Sequence, residues 1–245
     1  MANNNVTPDT ALVFAAGFGK RMQPITNKIP KPLVKVNNKS LIDYALDNLS
    51  NAGIKRAVVN THYLAEKIQG HLKKRNTPPK TSISHEDPIL ETGGGIVRAL
   101  LKLGSKPFFT INSDIIITNG NENALKRLSD FWNPDKMDVL MLLHDKEKAV
   151  GYDGTGDFNL SKDNHIIKPD QGDCKYVFTG VMIIKPEIFK GVDEKPFSVY
   201  RDFIHLKYRH NDGSLSRVYG IEHDGKWLHI GTPEGIGEAE KALNK

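Results

Sequence analysis

The residues best equipped for chemistry lie between Phe14 and Leu33, in the run FAAGFGKRMQPITNKIPKPL. Ala15, Ala16, Gly17 and Gly19 leave little side-chain bulk after an apolar stretch, so backbone N–H groups there can approach phosphate oxygens closely. Lys20 and Arg21 follow. The Arg21 guanidinium is a planar fork suited to a polyphosphate, and Lys31 adds a point charge from the far side of the loop. Pro24, Pro30 and Pro32 stiffen the segment between them. Two familiar phosphate-binding loops are excluded by spacing. A P-loop needs a hydroxyl residue after Gly-Lys, and Arg21 stands there instead. A dinucleotide fingerprint needs a third glycine where this chain has Met22. Further along, Asn112-Ser113-Asp114 closes an apolar run, and a carboxylate at the C-terminal edge of a strand is placed to hold a cation.

These groups need elements to position them. Ala11–Ala15 reads as a buried strand. Ser40 precedes a helix with Leu41, Ile42, Ala45, Leu46 and Leu49 on one face, ended by Gly53. Strands are predicted over 56–60, 81–85, 107–112 and 138–144, and helices over 64–74, 95–103 and 123–132. The strand–helix alternation predicts a mostly parallel sheet covered on both faces, with its loops gathered along one edge. The second half is richer in strands, at 158–160, 177–184 and 217–221, and Thr232-Pro233 opens a last helix ending near Leu243. The expectation is one α/β domain, Rossmann-like, with a mixed sheet that is mostly parallel and flanked by helices.

Composition bounds the partners. The net charge is +5 over 245 residues, which suits an anionic ligand. Lys and Arg are scattered, and Phe18 is the lone aromatic near a basic cluster, so nucleic acid is not expected as a partner. Cys174 is the single cysteine, which excludes a disulfide framework. The N-terminal MANNNVTPDT lacks the apolar core of a secretory signal, and no apolar run is long enough to span a bilayer. A cytoplasmic protein, monomer or homodimer, with no membrane contact is expected.

The loop resembles the signature of nucleotidyltransferases that make NDP-sugars, in which G-x-G-x-R precedes P-x-T and then P-K-P. Gly17, Gly19, Arg21, Pro24, Thr26, Pro30, Lys31 and Pro32 supply every element, and further landmarks run from about Leu12 to Ala242. The resemblance implies a Rossmann-like fold and condensation of an NTP with a sugar 1-phosphate, releasing pyrophosphate. Arg21 and Lys31 would be catalytic. Ala15, Ala16, Gly17, Gly19, Lys20 and Arg21 would bind the nucleotide. So would Glu86, as an acceptor for uracil or guanine N–H groups, and Gly93 and Gly94, as backbone against which base and ribose lie.

Asp114 matches an aspartate that binds Mg²⁺ in the family. Relatives read W-x-D-x-G-T where this chain has Trp227-Leu228-His229-Ile230-Gly231-Thr232, so His229 replaces the second metal-binding aspartate. Mg²⁺ prefers oxygen, whereas Mn²⁺, Co²⁺ and Zn²⁺ accept imidazole more readily. Mg²⁺ is the implied cofactor, with Mn²⁺ or another divalent ion favoured by His229. On the sugar side Gly180 matches a family glycine, and Asn112, Asp157 and Thr179 are the other candidates. The E-K-P and E-A-G motifs of many relatives are absent. Residues 1–145 would form the nucleotide-binding half and 146–245 the sugar-binding half, with no C-terminal β-helix.

The LETGGG run and Gly156-Asp157-Phe158 look most similar to small bacterial N-acetylmuramate-1-phosphate uridylyltransferases of cell-wall recycling. Short proteins similar to mannose-1-phosphate guanylyltransferases share most of these residues. UTP or GTP with a sugar 1-phosphate are therefore the expected substrates. A non-catalytic nucleotide sensor is the reading from another class.

Overall fold

In β1 (Thr10–Phe14), Ala11 and Val13 join the core on one face of the sheet and Leu12 joins the core on the other. This is the two-residue period of a strand buried on both sides. The structure, a computed structural model, describes residues 7–169 and 172–244, so the polar N-terminal residues through Val6 lie outside it. After β1 come a small hairpin of β2 (Lys35–Val36) and β3 (Lys39–Ser40), then α1 (Leu41–Asn51), β4 (Arg56–Thr61), α2 (Ala65–Lys73), β5 (Lys80–His85), α3 (Glu91–Leu103), β6 (Phe108–Asn112), β7 (Ile115–Ile117), α4 (Ala124–Phe131) and β8 (Val139–Asp145). The second half adds β9 (Asn159–Leu160), β10 (His165–Ile167), β11 (Tyr176–Ile184), a π-helical turn (Val199–Ile204) running into α5 (His205–Tyr208), β12 (Ser214–Glu222), β13 (Trp227–His229) and α6 (Pro233–Leu243).

Among the described residues nine strands form one sheet in the order β5-β4-β1-β6-β11-β8-β12-β10-β9. It is parallel from β5 to β6, turns antiparallel at β11, and is parallel again between β8 and β12. The sheet is thus mixed and not mostly parallel, with four parallel and four antiparallel pairings among the described residues, three of the parallel ones in the first half. From β1 the chain runs outward to β4 on one side and to β6 on the other. That reversal opens a crevice at the C-terminal ends of these strands. On one face α1 packs Ile42, Ala45, Leu46 and Leu49, at helical spacing, beside α2 and α4. On the other, α3 packs Ile96, Ala99 and Leu103 beside Ile204 and Tyr208.

Three local features depart from the sequence reading. α3 begins at Glu91, not Gly95, so all three glycines lie inside its first turns. The β7–β13 ribbon, the β2–β3 hairpin and β10 were not predicted, because strands of two or three residues carry no readable period. The helical turns over 199–208 were missed as well. No helix among the described residues is long and apolar enough to cross a membrane.

Candidate active site

The crevice encloses about 620 Å³ and is built from the end of β1 outward. The Ala15 N–H donates to Asn60 Oδ1 at 2.6 Å. Asn60 Nδ2 donates to Glu86 Oε1 at 2.7 Å, and the Leu90 N–H donates to Glu86 Oε2 at 2.9 Å. This relay ties the phosphate loop, β4 and the entrance of α3 into one unit. Glu86 lies in the crevice wall but is fully buried. Each of its oxygens already accepts a bond, so a base could use only a remaining lone pair.

The loop itself is held by Thr26, whose hydroxyl donates to the Gly19 carbonyl at 2.9 Å, and by the Tyr63 hydroxyl, which donates to the Thr26 carbonyl at 3.0 Å. Gly19 has φ +64°, and a Cβ there would lie 3.0 Å from both Lys31 Cβ and Thr26 Cγ2. An L side chain there is strained by conformation, and its Cβ fits only if Lys31 and Thr26 give way. Lys31 opens a 3-10 turn and brings its Nζ to 2.6 Å from Asp114 Oδ2.

Asp114 sits between β6 and β7. The Ser113 hydroxyl donates to the Phe14 carbonyl at 2.5 Å, and the Ile230 N–H donates to the Asp114 carbonyl at 3.0 Å. Pairing of β7 with β13 sets His229 opposite Ile115. These bonds bring Asp114 to one end of the crevice and set His229 just behind its wall: Gly231 lines the crevice, and a Cβ on it would lie 2.9 Å from His229 Cε1. Burial pushes the Asp114 carboxyl up, but the Lys31 ammonium, its hydrogen bond and His229 outweigh it and hold the carboxyl below its ordinary value. Burial pushes the His229 imidazole down. Lys31 and Arg21 push it the same way against the pull of Asp114. The neutral ring, the form that can ligate a metal, is thereby favoured. It stacks on Trp227 with centroids 5.9 Å apart and planes 10° apart.

Among the described residues no three His, Cys, Asp or Glu side chains group into a metal cage. One carboxylate and one imidazole fit a cation that draws most of its ligands from phosphate and water, as Mg²⁺ commonly does.

The structure brings together Ala15, Ala16, Gly17, Gly19, Lys20, Arg21, Lys31, Asn112 and Asp114 around one crevice. Gly180, at φ +85°, backs Asn112; a Cβ there would lie 2.7 Å from Asn112 Nδ2. Other expectations need correction. Thr179 is fully buried, with its hydroxyl donating to the Leu142 carbonyl at 2.8 Å, so it is turned into the core and away from any sugar. Asp157 spends one oxygen on the sheet, its Oδ2 accepting the Phe178 N–H at 2.8 Å, and is not among the residues lining the crevice. The open backbone face expected at Gly93 and Gly94 is filled by the Phe197 ring and the Lys195 carbonyl; Glu91 and Thr92 line the crevice in their place. Asn60, Ser198 and Arg201 also line it and were missed. Asn60 left a signal, a polar residue near the end of the apolar strand RAVVNT, whereas Arg201 left none.

The nucleotidyl transferase family model matches residues 10–245. The N-acetylmuramate alpha-1-phosphate uridylyltransferase of Caulobacter vibrioides is 40% identical over 241 residues, covering 96% of this chain and 97% of the relative. The enzyme of the same name from Neisseria meningitidis serogroup B is 31% identical over 232 residues, covering 94% of this chain and 96% of the relative. Among solved structures, HddC from Yersinia pseudotuberculosis complexed with GMP-PN superposes with a TM-score of 0.75 at 22% identity, covering 96% of this chain and 99% of the other, a likeness of fold. With the match running almost from end to end of the chain and of its relatives, the protein belongs to the nucleotidyl transferase family, among the sugar-1-phosphate nucleotidyltransferases.

Proposed function

We propose that the chain condenses UTP with N-acetylmuramate 1-phosphate to give UDP-N-acetylmuramate and pyrophosphate, in the cytoplasm, as a step of cell-wall recycling. The observation that carries nucleotidyl transfer is the meeting of the phosphate loop with the Lys31–Asp114 pair, 2.6 Å apart, in one crevice. The choice of substrates is supported by 40% identity over 241 residues to a uridylyltransferase for that sugar.

A non-bridging oxygen of the sugar phosphate would bond to the α-phosphorus while the bond from that phosphorus to the bridging oxygen breaks, and pyrophosphate leaves with the electron pair. Catalysis is then positioning and charge stabilisation. Arg21, Lys20 and the N–H groups of the loop would hold the leaving pyrophosphate. Lys31 would neutralise charge growing on the α-phosphate. Arg201, whose side chain is 74% exposed and whose pair with Glu91 is long, at 3.9 Å, would swing toward the second anion with Ser198 beside it. Asn112 would meet a sugar hydroxyl. Residues 1–145 would thus serve mainly the nucleotide, and 146–245 would serve the sugar through Ser198, Arg201 and Gly180.

Asp114 and His229 would hold Mg²⁺ or another divalent cation. When bound, such an ion supplies charge neutralisation at the phosphate oxygens. In His229→Asp, activity across Mg²⁺, Mn²⁺, Co²⁺ and Zn²⁺ is expected to shift toward Mg²⁺. An unchanged metal profile removes His229 from the cation site.

The substrate assignment is tested by product identification with UTP or GTP against N-acetylmuramate 1-phosphate or mannose 1-phosphate. UDP-N-acetylmuramate is the expected product. GDP-mannose as the main product would overturn the assignment.

A further inference from the structure

Two glycines in the first turn of a helix lower its stability, so Gly93 and Gly94 call for a compensating contact. The structure supplies one in a strap of chain, residues 193–201, laid across the start of α3. A Cβ on Gly93 would lie 2.1 Å from Phe197 Cε2, and a Cβ on Gly94 would lie 2.2 Å from the Lys195 carbonyl oxygen. Three hydrogen bonds fasten the strap. The Gly93 N–H donates to the Phe197 carbonyl at 2.8 Å, the Phe197 N–H donates to the Leu90 carbonyl at 3.4 Å, and the Val199 N–H donates to Thr92 Oγ1 at 2.9 Å. Arg98 and Glu194 pair at its outer end, 2.6 Å apart. Past the fastened stretch the chain enters its π-helical turn, where Ser198 Oγ accepts the Arg201 N–H. Both Ser198 and Arg201 stand in the crevice wall.

We infer that the glycine pair is a seat for this strap, and that Gly93, Gly94 and Phe197 are positioning residues that set Ser198 and Arg201 against the second, anionic substrate. The assignment of that substrate rests on the function proposed above; the seat itself does not. The two glycines face obstacles of different kinds. Over Gly93 the obstacle is a side chain, which mutation can trim. Over Gly94 it is backbone, which mutation cannot remove. A methyl group at either position displaces the strap, but only the lesion at Gly93 is reversible from Phe197.

The test combines steady-state kinetics, with each substrate varied in turn, and hydrogen exchange of residues 195–204 in the ligand-free protein. Gly94→Ala is expected to raise KM for the sugar 1-phosphate about tenfold or more, the loss of one charge-assisted contact. KM for UTP should stay within about threefold, and exchange over 195–204 should accelerate. Gly93→Ala should behave alike, and adding Phe197→Ala should bring its sugar-phosphate KM and its exchange back to those of Phe197→Ala alone. The same second change should not rescue Gly94→Ala. A rise in KM for UTP equal to that for the sugar phosphate, with no rescue at Gly93, would overturn the seat and return the glycines to the nucleotide. Should the wild-type protein use other substrates, hydrogen exchange still decides: unchanged exchange over 195–204 in Gly93→Ala, or no reversal by Phe197→Ala, overturns the seat alone. The Gly93 and Phe197 variants carry the test if Gly94→Ala does not fold.

Discussion

Lys31→Met is expected to lower kcat by about 10²–10³-fold while changing KM for UTP by less than about threefold. The side chain of Lys31 is 12% exposed and its ammonium sits 2.6 Å from Asp114 Oδ2, so its charge acts in a place poor in water. Charge grows on the α-phosphate oxygens only as the new bond forms, and an interaction stronger in the transition state than in the bound substrate appears in kcat and not in binding. Methionine keeps the apolar stem and removes the charge. The Arg21 fork and the backbone of the loop still hold the triphosphate, which is why affinity should survive. Asp114→Asn in the same chain should cost less than the two single effects combined, because each residue acts partly through the other. Steady-state kinetics check both statements, and near-normal turnover in Lys31→Met would strike Lys31 from the catalytic residues.

Between pH 6.5 and about 4 the folded protein is expected to lose about 3 kcal/mol of stability through its buried histidines. His144 and His223 are each 2% exposed, their rings lie 5.5 Å apart, and the His144 ring stands 6.2 Å from that of Trp227. Among the described residues, neither ring nitrogen of His144 nor Nδ1 of His223 has a hydrogen-bond partner. Burial pushes His223 down to about 4, with the neighbouring His144 and Arg127 acting the same way against Asp224 and the Lys226 carbonyl. Burial also lowers His144, against the nearby backbone of Lys148 and His223 and the Asp145 carboxylate.

An imidazole with a depressed folded value stays neutral while its unfolded counterpart takes up a proton. Stability is therefore full above 6.5 and falls as pH drops toward 4. Lowered carboxyls such as Asp43 and Asp138 lose their contributions only below about 3.8, outside this window. Urea unfolding at several pH values should show the loss in wild type and a much flatter profile in His223→Gln. Equal slopes in the two proteins would contradict the account.

The phosphate loop and Asp114 were legible in the sequence because their groups are contiguous and stand at the ends of apolar strands. The rest of the crevice depends on partners far apart in the chain. Asn60 matters because it bridges Ala15 and Glu86, a relation no local pattern encodes. Arg201 reaches the crevice only because a strap docks on α3 more than a hundred residues upstream. The triple glycine announced a close approach correctly, but a glycine says nothing of what approaches, and the occupant is the chain itself. Thr179 was misplaced for a different reason. The pairing of β11 with β8 shifts register between Phe178 and Met182, so simple alternation cannot assign its face. The α/β fold was easier to read, since buried parallel strands leave short apolar runs and amphipathic helices leave a period.

Transfer of a nucleotidyl group in this crevice can be followed by phosphorus NMR of the wild-type protein with UTP, N-acetylmuramate 1-phosphate and a divalent cation. One pyrophosphate should be released for each UDP-sugar formed, with both signals absent when the sugar phosphate is withheld. UTP that binds and stays intact, or that is hydrolysed without a sugar nucleotide appearing, would contradict it.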